Sequence, residues 1–202
     1  MFNKDNGSLY IEGHIKIFDP QTSHVFVNKR NAIHYENFSI GLARAMAHQD
    51  RGWISVMKFG NGGTRIDPTG IITYRTPNII GANANLYNRT YEKVIDANDI
   101  NNNDPARNFM EVRHRIGTYY SDILVSCLLD FGEPTGQFAF DNQTDNEGSY
   151  VFDELGLTSS NNNNPIENSL ITHVIFHPVQ KSLNRMIQVD YTVRIQSLSS
   201  GV

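Results

Sequence analysis

The chain has 202 residues, 39% hydrophobic and 19% charged, with a formal net charge of −4, where an ordinary domain carries about 25% charged residues. This length builds one domain with its own core, and an aromatic share of 10% at so small a net charge excludes a disordered chain. No run of eighteen apolar residues suits a membrane span, the acidic balance speaks against general nucleic-acid binding, and the single Cys127 excludes an internal disulfide or a thiolate metal cluster.

The opening MFNKDNGSLY has no apolar signal region, so no secretion signal is expected. Leu9, Ile11, Ile15 and Ile17 line one side of a strand broken by Gly13. Asp19-Pro20-Gln21-Thr22 supplies a turn and Val25-Phe26-Val27 the return, a β-hairpin over 9–30. The one good helical pattern follows, over 37–49: Phe38, Leu42, Ala45 and Met46 share a face. Asn37 is its expected cap and Gly52 its expected stop. Residues 53–59 alternate as a strand that ends at Gly60-Asn61-Gly62-Gly63, residues tolerant of positive φ.

The stretch 64–120 reads as a loop-rich insertion. Asp67-Pro68-Thr69-Gly70 is a turn, 78–88 is rich in Asn, and 96–104 has Ile100 as its single apolar anchor. Stretches this long without structure of their own are usually functional or ordered by a partner.

Over 121–197 the strand signal is clear. Ile123, Val125, Cys127, Leu129 and Phe131 share one face of a strand at 122–131, with Leu124 and Leu128 on the other, which predicts burial on both sides. Further strands are predicted at 150–158 and 170–176, with Pro165 and Pro178 between the runs. Ile187, Val189, Tyr191, Val193 and Ile195 alternate with Gln188, Asp190, Thr192 and Arg194, giving one core face and one wet or interfacial face. Many strands, turn punctuation and one short helix predict a mainly β single domain: a β-sandwich of jelly-roll kind with long Asn-rich loops. Its expected core comprises Phe38, Leu42 and Met46 from the helix, Ile123, Val125 and Leu129, and Ile187, Val189, Tyr191 and Val193.

The candidate chemistry is thin. Gly60 to Thr64 is Gly-rich, but a phosphate loop needs Lys-Ser/Thr and a helix next, and Pro68 blocks that helix. The run from Asp99 to Asp104 resembles half a calcium loop, with Asp104 where Gly is required and Met110 where a bidentate Glu is required. His173 and His177 have zinc-helix spacing, yet on a strand they lie about 13 Å apart, and Val174 stands where a zinc protease carries Glu. No nucleophile elbow is present, and Cys127 in an apolar strand reads as a buried structural thiol. Glu133, Asp141, Asp145 and Glu147 read as solvated loop acids. Trp53, Tyr119 and Tyr120 are the aromatic candidates for a sugar contact. No catalytic set, metal or cofactor is expected.

Three segments in one order resemble a recurring class of tailed-bacteriophage virion proteins. GHIKIFDPQTSHVFVNKRNAIHYENFSIGLARAMA over 13–47 is similar to their opening hairpin and helix, and ISVMKFGNGGTRIDPTG over 54–70 to a strand ending in a Gly-rich turn. FDELGLTSS over 152–160 and LITHVIFHPVQKSLNRMIQVDYTVRI over 170–195 are similar to their closing unit. The resemblance implies a non-enzymatic component of the virion, assembled in the host cytoplasm as a ring or cluster in the neck, tail or baseplate region. The family also includes collar and capsid-decoration proteins and fibre components, which leaves decoration, or a receptor- or carbohydrate-binding module on a tail fibre, as the alternative. Expected partners are other virion proteins and copies of itself, in a homo-oligomer, without nucleic acid or membrane. The polar loops within 81–108 have too little apolar content to fold onto their own core. Their Asn83, Asn85, Asn88, Asp99, Asn101, Asn103 and Asp104 are therefore the candidate inter-subunit contacts.

Overall fold

The structure, a computed structural model, describes residues 7–49, 52–135, 149–159 and 169–199. Asp141, Asn142, Asp145, Glu147, Asn161 to Asn164 and Pro165 lie outside the described residues. In chain order the elements are β1 (Gly7–Phe18), β2 (Val25–Arg30), β3 (Ala32–Ile33), α1 (Tyr35–Met46), β4 (Val56–Gly60), β5 (Thr64–Ile66), β6 (Ile72–Tyr74), β7 (Arg89–Val94), β8 (Phe109–His114), β9 (Tyr120–Leu129), β10 (Ser149–Thr158), β11 (Thr172–Ser182) and β12 (Ile187–Ser199).

They form a β-sandwich. The first sheet has the order β2-β1-β12-β9-β8 and the second β3-β11-β10-β4-β7, while β5 and β6 make a separate ribbon. The early strands β1 and β3 pair with the late strands β12 and β11, one couple in each sheet. This nesting is the jelly-roll character of the fold; the β1–β2, β8–β9 and β10–β11 pairs, each of consecutive strands in one sheet, depart from it.

The alternation of β12 has its expected cause. Ile187, Val189, Tyr191 and Val193 are buried in the first sheet's inner face with Ile15, Ile17, Cys127 and Leu129. Met57, Phe59, Phe152, Leu155, Val174 and Phe176 meet them from the second sheet. Phe152 sits edge-on to Phe59 and Phe176, with ring centroids 5.4 and 5.7 Å away. The N-terminal hairpin turns at Asp19, whose Oδ1 accepts the N–H groups of Gln21 at 2.8 Å and Thr22 at 3.2 Å.

Several expectations are corrected. The helix starts at Tyr35, two residues early, because His34 and not Asn37 caps it: the Asn37 N–H donates to His34 Nδ1 at 3.2 Å. Phe38 is buried and Leu42 half-buried, but Met46 is 81% exposed, since every residue from Ala43 onward stands clear of the core. Gly52 does not stop the helix, which ends at Met46; it lies against Gly41 and Ala45, where a Cβ would strike helix backbone. The strand expected from Trp53 begins at Val56 and leaves Trp53 half-exposed. Phe131 lies beyond the end of β9 and is exposed. Pro178 falls inside β11, at the point where its register with β10 shifts, a place where a strand tolerates proline. The stretch 64–120 holds β5, β6, β7 and β8. The last two are sheet edges, whose half-exposed side chains mute the alternation.

Candidate functional site

A cluster of the polar residues that the sandwich buries lies on the outer face of the second sheet. Along β10, Tyr150 and Phe152 are buried in the core before the register shift and Leu155 and Leu157 after it. This change of parity is the mark of a bulge, and it places two successive acids, Asp153 and Glu154, on the outer face. Asp153 accepts the N–H groups of Gly63 and Thr64, each at 2.8 Å, and the Thr64 hydroxyl. Glu154 Oε1 accepts from Gly62 at 3.1 Å and Asn88 at 2.7 Å. Its Oε2 accepts from Tyr87 at 2.9 Å and from His173 Nε2 at 3.0 Å. Successive backbone N–H groups form an anion-holding concavity. In the turn at Gly60 to Thr64 it is filled by the chain's own carboxylates.

The electrostatics follow from this geometry. Burial pushes the Asp153 carboxyl above its ordinary range, against the pull of Thr64 and Gly63. Burial also acts upward on Glu154, but the bonds from His173, Asn88 and Tyr87 outweigh it and hold that carboxyl below its ordinary value. The Asn78 N–H donates to His173 Nδ1 at 2.7 Å, which leaves Nε2 as the protonated nitrogen facing Glu154. With both ring nitrogens and both carboxylate oxygens occupied, the cluster fixes backbone in place.

What it fixes is the segment 78–88, which straps the outer face. Ala84 and Leu86 are buried against Leu170 in a small second core. The strap comes this close because Gly156 lies beneath it: a Cβ there would sit 2.5 Å from Leu170 Cδ1 and 3.3 Å from Leu86 Cδ2. At the strap's other end His34 Nε2 donates to the Gly81 carbonyl at 2.9 Å. Asn37 Nδ2 donates to the carbonyls of Leu170 at 3.0 Å and Ala82 at 3.4 Å. The premise that this segment lacks apolar anchors is thus corrected: Ala84 and Leu86 alternate with Asn83 and Asn85, so one side faces in. Asn83, Asn85 and Asn88 are exposed. Asn85 Oδ1 accepts from the Leu86 N–H at 2.9 Å, and Asn88 Nδ2 donates to Asn61 Oδ1 at 2.5 Å.

The second polar loop, 96–108, is built differently. Asp96 and Asp99 each accept an N–H two residues on, from Asn98 and Asn101, both at 2.9 Å. These are Asx-turns, local by nature. Asn102 Nδ2 bridges the carbonyls of Asp96 at 3.0 Å and Asn108 at 2.8 Å. Buried Asn108 ties the loop to β9 by accepting the Leu128 N–H at 2.9 Å. Asp104 pairs with Arg107, which also reaches Asp130 at 2.7 Å. The side chains of the calcium-like run are therefore engaged in turns and an ion pair, with Asn101, Asn103 and Ile100 exposed. Of the seven candidate contact residues, Asn83, Asn85 and Asn88 lie on the strap and Asp99, Asn101, Asn103 and Asp104 on this loop.

The other candidates are dispersed. His173 is buried and His177 exposed, the latter facing the Tyr74 hydroxyl at 3.3 Å. Burial pushes the Cys127 thiol up to about 12. Glu133 pairs with Lys93. Tyr119 is 80% exposed, while Tyr120 carries the Arg194 guanidinium 4.2 Å above its ring. Among the described residues no group of three His, Cys, Asp or Glu side chains is placed to hold a metal ion. An apolar cavity of about 280 Å³ opens between α1 and the edge of the first sheet, lined by Phe38, Leu42, Trp53, Met110, Val112 and Ile195 among others. Sequence reasoning missed His34, Asn37, Asp153, Glu154 and His173 as a set. The one local signal was a pair of adjacent acids inside an otherwise apolar strand.

No family model matches the chain, and neither curated proteins nor solved structures provide a match.

Proposed function

We propose that this chain is a non-enzymatic structural subunit of a phage particle, a ring- or cluster-forming component of the neck, tail or baseplate region working with other virion proteins and copies of itself. The observation that supports this reading is the use made of the buried polar residues. Asp153, Glu154, His173, His34 and Asn37 all hold backbone of the Gly-rich turn and the strap, so that a long polar segment becomes a fixed ledge, and the loop at 96–108 is fixed by its own turns. A pre-formed surface loses little conformational entropy when a neighbour docks. The exposed Asn83, Asn85, Asn88, Asn101 and Asn103, with Asp99 and Asp104 beside them, are the contacts that such ledges would offer to the next subunit. The resemblance of 13–47, 54–70, 152–160 and 170–195 to virion proteins points the same way. Mass spectrometry of purified particles is the test. The chain should be present in the particle, and its restriction to the infected-cell lysate would defeat the proposal.

A second reading, a carbohydrate- or receptor-binding module, draws on the half-exposed Trp53 and the exposed Tyr119, the aromatic surface that sugars stack on. A glycan array at high protein concentration separates the two: a reproducible hit lost in Trp53→Ala favours the module, and a blank array disposes of it. Capsid decoration differs from the first reading only in place, and labelled subunits arrayed over the shell would select it.

A further inference from the structure

Strand β8 closes the first sheet and pairs only with β9, so its outer backbone edge is unpaired among the described residues. An unpaired edge is a template for another strand unless it is blunted by proline, bulges or inward charge. Its register with β9 contains no irregularity, and its sequence, FMEVRH, contains no proline. Its two faces differ. Met110 and Val112 lie opposite Val125 and Ile123, on the core side, and both line the apolar cavity beside α1. Val112 is nevertheless 71% exposed, as is much of neighbouring Trp53. Glu111 and Arg113 lie on the opposite face, paired with each other along the strand, Arg113 largely in solvent and Glu111 half-exposed.

We propose that this edge is where a second copy of the chain docks, the two β8 strands pairing antiparallel about a twofold axis at Val112. The charge pattern selects this occupant and this register. Centred on Val112, the pairing sets Glu111 of each copy directly across from Arg113 of the other, so two opposite-charge cross-strand pairs form at once. The pattern E-V-R is self-complementary only in that antiparallel register. The dyad stands perpendicular to the sheet, so both inner faces remain on one side. Val112 meets Val112 over the axis, and the two apolar cavities become neighbours under a continuous ten-stranded sheet. The contact is isologous, the commonest closed form of self-association. It rests on the reading of the chain as a self-assembling subunit and adds which surface begins the assembly.

Sedimentation equilibrium of the full chain and three surface variants tests it. The wild type should dimerise. Glu111→Arg alone sets two arginines against each other in both contacts, and Arg113→Glu alone sets two glutamates; each should dissociate about tenfold more readily. The double variant E111R/R113E restores complementarity with the signs exchanged and should return to wild-type dimerisation. Arg113 is exposed and Glu111 half-exposed, and neither belongs to the buried core, so the fold is not at stake. If the wild type self-associates but the whole series behaves alike, the β8 edge is overturned while self-assembly stands. If the double variant stays as weak as the singles, the Val112-centred register is wrong. A wild type that is monomeric at every concentration overturns both this interface and the self-assembling subunit.

Discussion

The strap at 78–88 and the loop at 96–108 are both polar and rich in Asn, and they hold their shape for different reasons. The strap is held from outside. Ala84 and Leu86 fill a recess above Gly156, and Glu154 and Asn37 bind its backbone from positions 66 and 45 residues away from the groups they hold. The loop is held mainly from within, by Asx-turns two residues wide and by the Asn102 bridge, with Asn108 as its tie to β9. Asn therefore has two distinct uses here. On the strap it is the solvent side of an alternating segment; in the loop its side chain is the framework.

The largest test of this difference is Glu154→Ala. It leaves the N–H groups of Tyr87, Asn88 and Gly62 and the His173 ring without their acceptor in a buried place, at a cost of about 3–5 kcal/mol. Urea unfolding should show that loss, and hydrogen exchange should quicken at residues 84–88 while 98–104 keep their protection. The pH dependence has a defined sign. The folded Glu154 carboxyl lies below its ordinary 4.5, so its contribution is whole above that value and drains away as pH falls through the lower folded value. Asp153, raised by burial, acts in the opposite sense, taking up a proton in the folded state first. Glu154→Gln should remove the first dependence and leave the second, which a stability profile between pH 3 and pH 6, about the carboxyl range, would read.

Next in size is Leu86→Ala, expected to cost about 2–3 kcal/mol by opening the recess, again with exchange confined to the strap. A comparable change of the opposite sign is expected beneath it. Lys58 lies across from Gly156 on the same outer face and is almost wholly buried. Burial, with Arg89 nearby, lowers its amine to about 8, against the pull of Glu92. The folded state sheds that proton before the unfolded state does, so stability rises with pH from about 8 toward the ordinary 10.5. Lys58→Met should stabilise the protein by about 2 kcal/mol at neutral pH, a gain that fades across that window in thermal melts. The smallest effect belongs to Asp99→Ala, below about 1 kcal/mol, with faster exchange at Asn101 alone. A loop-wide or strap-wide response to that change would break the distinction between the two segments.

What the sequence made legible follows the same division. The alternation of β12 and the apolar face of β9 are local patterns imposed by a buried sheet, and Val125, Leu129, Val189, Tyr191 and Val193 are buried as that pattern requires. The helix was visible from Phe38 and Leu42, yet its start was misplaced because the capping group is a histidine that also serves Gly81. Edge strands β7 and β8 left no clear signal, since a half-exposed strand has less need to alternate. The cluster around Glu154 was illegible for a stronger reason. Its members come from β5, β10, β11 and two loops, and no spacing along the chain encodes a meeting that the sandwich alone brings about.

The pairing of β1 with β12 also dictates when this protein can exist. Those strands are hydrogen-bonded along their whole length, from Gly7↔Ser199 to Phe18↔Gln188, and both lie inside the first sheet, with β2 and β9 on either side. During synthesis β1 leaves the ribosome with its partner still untranslated, and at about 5–20 residues per second it waits on the order of ten seconds or more. Throughout that interval the nascent chain presents Ile11, Ile15 and Ile17 on a strand whose one available neighbour in the sheet is β2. Closing so distant a contact is slow in itself. The first sheet is therefore completed only once β12 has been made, and a chaperone that holds the nascent hairpin would raise the yield of folded subunits more than one acting later.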